Sequence, residues 1–282
     1  MRFFNYLLAV AAIAALPACG NPPYPRGDVA QLFPGAEKPV ATTDTLGSRP
    51  IFTMRMAGRS GQPMVLFVHG SPGDWKAWAH FLTAPQLAGL GTRVAVDRPG
   101  FAASMGPVMP DLRAQAALLA QLIPTGQRAI VVGHSLGGPI AAWMALDAPD
   151  KVCGVVSVAG SLASALEQPR WYNDAANWRV VQWLLPPEMV LSNQEMMPLS
   201  AELAKLESAM PALQVPFILI QGSKDELVMP ATADEVARRM PAQWLTVLKR
   251  PDDGHFVLWQ KPTVVTDAIL QLPCAGAQHV SH

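Results

Sequence analysis

The stretch "IVVGHSLGGPIAA", Ile130 to Ala142, sets one serine among three glycines, between a β-branched run and an alanine-rich run. A strand that turns straight into a helix needs glycine at the corner, because neighbouring β-carbons would collide there. Gly133, Ser135 and Gly137 form a Gly-x-Ser-x-Gly turn of this kind, which lifts the serine hydroxyl clear of the strand end. The helix starting at Leu136 would aim its free backbone N–H groups and positive dipole end at any oxygen bound there.

Working outward, "PIFTMRMAG", "MVLFVHG", "RVAVD" and "AIVVGHS" read as strands before the turn; "VCGVVSVAG", "PFILIQGS" and "WLTVLKR" read as strands after it. Several are apolar on both faces, as central parallel strands are. Between them, "DLRAQAALLAQLI", capped by Asp111, "LGGPIAAWMALDAPD" and "ATADEVARRM" have helical spacing. Strands alternating with helices predict an α/β fold, a mostly parallel sheet with both faces covered. Residues 162–214 break the alternation with helical patches, Trp171, Tyr172, Trp178, Trp183 and several methionines. That length without strand signals predicts a helical cap inserted into a core of residues 46–161 and 215–274. Trp171, Trp178 and Trp183 are its candidate substrate-binding residues, and packing onto the core is their alternative role.

Half of the 282 residues are hydrophobic (50%) and 15% are charged, a composition for a well-filled core. With 21 basic and 21 acidic residues, nothing draws the chain electrostatically to nucleic acid or an anionic membrane, so a small, weakly charged partner is expected. The start, "MRFFNYLLAVAAIAALPACG", has one positive charge, an apolar run from Leu7 to Leu16 and small residues up to Cys19. The run falls short of the about 20 residues a membrane span needs but suits a secretory signal over residues 1–18. "LPAC" resembles the lipobox of bacterial lipoproteins, which implies lipidation of Cys19 and a periplasmic, membrane-anchored protein. "GNPPYPRGD" opens an expected tether over residues 19–45, and 275–282 read as a tail. In an oxidising compartment Cys153 and Cys274 are allowed to pair, but the expected role of Cys153, at the start of the apolar run "VCGVVSVAG", is that of a small buried hydrophobe. No spacing matches a zinc site, and no metal or cofactor is expected.

Asp225 follows the strand "PFILIQGS" and His255 lies in "PDDGHFVLW", so serine, acid and histidine occur in that order, each just past a strand. Together with "VLFVHGSPGD", "VDRPGFAAS", "GHSLGG", "QGSKDELV" and "DGHF", the chain from about Pro50 to Leu272 resembles the α/β hydrolase superfamily. The resemblance implies that Ser135 attacks a carbonyl carbon, His255 moves the proton and Asp225 orients the imidazole. It also implies an oxyanion hole from the backbone N–H groups of Ser71 and Leu136.

Other polar residues have duller readings. Asp252 and Asp253 lie too near His255 in sequence to face its ring. Asp97 and Arg98 read as an ion pair bracing a loop, and His69 and His134 as hydrogen-bonded structural rings. His279 and His282 read as solvated, and Asp74 has no assigned role.

Aspartate-nucleophile relatives, the haloalkane dehalogenases and epoxide hydrolases, share the "HGxP" loop, but serine stands at position 135 here. The expected substrate is a small to medium, largely apolar carboxylic ester. Proline-iminopeptidase-like cleavage is the alternative, with Glu167, Glu188 and Glu195 as the acids available for a substrate amine. Carbon–carbon bond hydrolysis and, in another class, a noncatalytic ligand-binding role on the same fold are the remaining alternatives.

Overall fold

The computed structural model describes residues 27–35 and 37–275, so the signal segment, Cys19, His279 and His282 lie outside the described residues. The strands are β1 (Val40–Leu46), β2 (Arg49–Met56), β3 (Met64–Val68), β4 (Arg93–Val96), β5 (Ala129–His134), β6 (Val152–Val158), β7 (Phe217–Gly222) and β8 (Leu245–Arg250). They form one eight-stranded sheet in the order β1-β2-β4-β3-β5-β6-β7-β8. Pairing is antiparallel from β1 to β2 and from β2 to β4, and parallel across the rest.

The helices are α1 (Val29–Leu32), α2 (Ala79–Leu82), α3 (Leu112–Leu119), α4 (Gly137–Asp147), α5 (Trp171–Ala176), α6 (Arg179–Gln182), α7 (Pro187–Ala209), α8 (Thr232–Arg239), α9 (Val257–Gln260) and α10 (Pro262–Gln271). Along β5, Ala129 and Val131 join the core under α3, α4 and α7, while Ile130 and Val132 join the core under α2 and α10. This period-two division explains why β5 is apolar at every position up to its end: a strand covered on both faces has no solvent side to keep polar.

Regular structure occupies part of the expected tether. The tether expected over residues 19–45 gives way to α1, capped by Asp28, and to β1. Strand β1 escapes a sequence reading because it is an edge strand whose residues are exposed except Asp44 and Leu46, so no apolar alternation marks it. From Val158 to Phe217 no strand intervenes; α5, α6 and α7 form a helical insertion over the carboxyl ends of the parallel strands.

Cys153 and Cys274 are joined in a disulfide, with Cα atoms 6.1 Å apart across 121 residues of sequence. The bond ties the start of β6 to the segment following α10 and selects the paired state over a free buried thiol.

Candidate active site

Ser135 sits between β5 and α4 with φ of 52°, a left-handed conformation that side chains rarely adopt. Close packing forces the flanking residues to be glycine: a β-carbon at Gly133 would lie 2.1 Å from the Gly137 carbonyl oxygen, and one at Gly137 would lie 2.2 Å from that of Val68. Backbone bonds fix the corner, since the Ser135 N–H donates to the Val158 oxygen (3.0 Å) and the Ser161 N–H donates to the Ser135 oxygen (3.2 Å).

After β7, the Asp225 carboxylate is buried and divides its two oxygens between two tasks. Oδ1 accepts the N–H groups of Leu227 (2.9 Å) and Val228 (2.8 Å), while Oδ2 lies 3.0 Å from His255 Nδ1. That geometry places the proton of a neutral His255 on Nδ1 and leaves Nε2 as the basic nitrogen. His134, next to Ser135 in sequence, packs its ring 4.8 Å from the His255 ring and donates from Nε2 to the His255 carbonyl oxygen (3.1 Å). Burial, with His255 adding to it, holds the His134 ring down at about 3, so it stays neutral and structural. The serine corner and the histidine loop are thereby joined directly. Among the described residues the Ser135 hydroxyl itself makes no hydrogen bond.

The loop after β3 closes on this corner, since a β-carbon at Gly70 would lie 2.9 Å from Ser135 Cβ. Ser71 is the next residue and Leu136 caps α4. Among the described residues neither backbone N–H is taken by a protein acceptor, the condition an oxyanion site requires. Beneath the loop, His69 Nδ1 donates to the Gly70 oxygen (2.7 Å) and His69 Nε2 accepts the Arg98 N–H (2.9 Å), consistent with a ring that burial keeps neutral.

Arg98 departs from its expected partner. Asp97 and Arg98 do not pair, because successive residues at a strand end point to opposite faces. Asp97 instead accepts the N–H groups of Trp75 (2.7 Å) and Ala103 (3.0 Å), and burial pushes its carboxyl up to about 7. Arg98 reaches Glu195 on α7, with Nη1 to Oε1 at 2.6 Å and Nη2 to Oε2 at 2.9 Å. Glu195 Oε2 also accepts the Ser71 hydroxyl (2.7 Å), and Arg98 Nη2 donates to the Gly70 oxygen (3.0 Å). Glu195 is thus committed to the core and removed from the acids available to a substrate amine. No sequence signal could have joined these residues, which stand 97 positions apart.

Of the other two acids, Glu188 lines a cleft of about 630 Å³ with Pro72, Asp74, Phe101, Met105 and Leu191; neither Ser135 nor His255 lines that cleft. Glu167 stands close enough to Asp225 to feel its charge, and burial pushes its carboxyl up to about 7 against the pull of a Ser161 hydrogen bond. Its Oε1 is buried without a hydrogen-bond partner. Trp171, Trp178 and Trp183 are 64%, 58% and 86% exposed and line no part of the cleft. Asp252 and Asp253 face Lys224 and Arg250 rather than His255. Among the described residues no group of histidine, cysteine or carboxylate side chains could hold a metal ion.

The family profile described as alpha/beta hydrolase fold matches residues 63–197, which span the loop after β3, the serine corner and the first part of the insertion. The chain has the α/β hydrolase fold. A stretch of 120 residues is 39% identical to the dihydrolipoyllysine-residue acetyltransferase component of the acetoin cleaving system of Cupriavidus necator, covering 42% of this chain and 29% of that protein. Another of 120 residues is 32% identical to the pimeloyl-[acyl-carrier protein] methyl ester esterase of Vibrio campbellii, covering 43% and 42%. The chain therefore matches less than half the length of either curated relative. The structure of the epoxide hydrolase CorEH shares the α/β hydrolase fold at a TM-score of 0.66 and 19% identity, covering 83% of this chain and 98% of that one.

Proposed function

We propose that this protein is an exported serine hydrolase that cleaves a small to medium, largely apolar carboxylic ester through an acyl-enzyme intermediate. The observation that carries the reading is the 3.0 Å contact of His255 Nδ1 with Asp225 Oδ2 on a loop packed against the Ser135 corner. In this scheme His255 Nε2 takes the hydroxyl proton as Ser135 Oγ bonds to the ester carbon. The carbonyl oxygen gathers charge facing the Ser71 and Leu136 N–H groups. As the tetrahedral species collapses, the C–O bond to the alcohol breaks and His255 returns the proton to the departing oxygen. Water, deprotonated by His255, then releases the acid and restores Ser135. An epoxide-opening scheme of the aspartate type finds no carboxylate at position 135, and the esterase likeness favours acyl chemistry.

The Cys153–Cys274 bond fits an oxidising compartment and so supports export. In the proposed mature form residues 1–18 are removed and Cys19 carries lipid, which intact mass of the membrane-extracted protein tests; an unmodified full-length mass contradicts it. Turnover of p-nitrophenyl butyrate by the wild type and by Ser135→Ala tests the chemistry, and equal rates end the ester assignment. An aminoacyl substrate is the second reading, favoured by the unpartnered Glu167 Oε1, which can accept a hydrogen bond from a substrate ammonium group. Under that reading Glu167→Gln reduces turnover of aminoacyl p-nitroanilides and spares simple esters.

A further inference from the structure

Large apolar side chains exposed to solvent are unevenly distributed over the molecule. Of twelve such residues among those described, seven fall between positions 171 and 189, including Trp171 (64%), Trp178 (58%), Val180 (64%), Trp183 (86%) and Leu184 (57%). They belong to α5, α6, the turns around them and, for Met189, the first turn of α7, at the outer surface of the insertion. Tryptophan dominates the patch, a side chain with an apolar body and one N–H donor, suited to the boundary between water and hydrocarbon. Its charges balance, Arg170 and Arg179 against Asp174 and Glu188, so electrostatic attraction to an anionic partner is not what the surface offers.

The route by which the chain joins the fold brings its first described residues to this side. Phe33, just after α1, stacks on Trp75, with ring centroids 6.2 Å apart, and Trp75 follows the carboxyl end of β3. Its neighbour Asp74 lines the same cleft as Pro187, Glu188 and Leu191, which adjoin Trp183 and Leu184 in sequence. The start of the described chain and the aromatic patch therefore share the active-site end of the sheet. Cys19 precedes Phe33 by fourteen residues. Fully extended, that many residues reach at most about 50 Å. A lipid-anchored Cys19 would therefore keep the domain within about 50 Å of the membrane, attached through the end of the sheet that also carries the patch.

We infer that the α5–α6 face docks on a lipid surface, its tryptophans lying at the boundary of headgroups and acyl chains, so that the site is presented to membrane-borne esters. The inference rests on the proposed anchoring for the direction from which the membrane approaches; the patch itself does not depend on it. Because the contact is apolar and the local charges balance, docking is expected on zwitterionic bilayers and is insensitive to salt.

The experiment uses the full chain mixed with excess phosphatidylcholine vesicles, with and without bromine on the acyl chains, and reads tryptophan emission. The wild type is expected to float with the vesicles, shift its emission to the blue and lose intensity in the brominated lipid. The Trp171→Phe/Trp178→Phe/Trp183→Phe variant, whose remaining tryptophans lie in the body, is expected to float yet show no bromine-dependent loss. Ser135→Ala is expected to quench like the wild type, which separates failure of docking from failure of the ester reading. Emission that is indifferent to bromine, whether or not the protein floats, overturns the inference. Self-association in vesicle-free buffer that Trp183→Ala abolishes also overturns it, assigning the patch to a second copy of the chain.

Discussion

Glu195 of the inserted helix and Arg98 at the end of β4 form a buried, two-pronged ion pair, with side-chain exposures of 1% and 0% and a shortest contact of 2.6 Å. Because Glu195 also holds the Ser71 hydroxyl, and Arg98 the Gly70 carbonyl, the pair couples the insertion to the loop proposed to bind the oxyanion. Removing one partner strands the other charge in the interior. Glu195→Ala is therefore expected to cost about 3–5 kcal/mol, while replacing both partners by Met recovers most of that loss. Chemical denaturation measures each step of the cycle. In the double variant kcat should remain depressed although stability returns, because the loop has lost its brace.

Ser71 separates the roles of side chain and backbone. Ser71→Ala removes a hydroxyl bonded to Glu195 and should cost about 1–2 kcal/mol of stability, with a small effect on kcat. Ser71→Pro deletes the N–H and should lower kcat by about 100- to 1000-fold. Equal kinetic effects of the two substitutions would remove Ser71 from the oxyanion site.

The disulfide closes a long segment of chain. Cys153→Ser is expected to lower unfolding free energy by about 2–5 kcal/mol, and reducing agent should then leave the variant's melting temperature unchanged while lowering that of the wild type.

Glu167 gives a pH signature whose sign is fixed by burial. Its carboxyl titrates about 7 in the fold against 4.5 when solvated, so the folded state holds the proton to higher pH. The associated stability is fully present below the unfolded value, declines as pH rises from there and is lost above about 7. Asp97 contributes in the same direction. Glu167→Gln should make the fall in melting temperature between about pH 5 and about pH 7.5 shallower than in the wild type, with Asp97 supplying what remains. An unchanged slope contradicts the assignment.

What the sequence made legible were features that repeat locally. Strands β3 and β5 announce themselves because both faces are buried, and the Ser135 corner because backbone crowding admits only glycine at Gly133 and Gly137. Edge strand β1 was hidden by its solvent-facing threonines, which carry no hydrophobic period. The Arg98–Glu195 pair was hidden because adjacency in sequence suggests Asp97 as the partner, whereas strand geometry turns neighbours apart. Tryptophan content marked the insertion as unusual, but only the packing of α5 and α6 determines that Trp171, Trp178 and Trp183 face outward.

In the proposed mechanism Asp225 works by orienting His255, the base that serves Ser135, so Asp225→Asn should lower kcat by about ten-thousand-fold while leaving binding of a substrate analogue nearly unchanged. Retention of most of the activity would point to a different acid.

Peptide mapping after reaction with a fluorophosphonate probe tests the central claim most directly. The expected result is one phosphonylated peptide, carrying Ser135, that disappears in His255→Ala although that variant remains folded. An unlabelled protein, or an adduct on another residue with Ser135 intact, would contradict a hydroxyl activated by the His255–Asp225 pair.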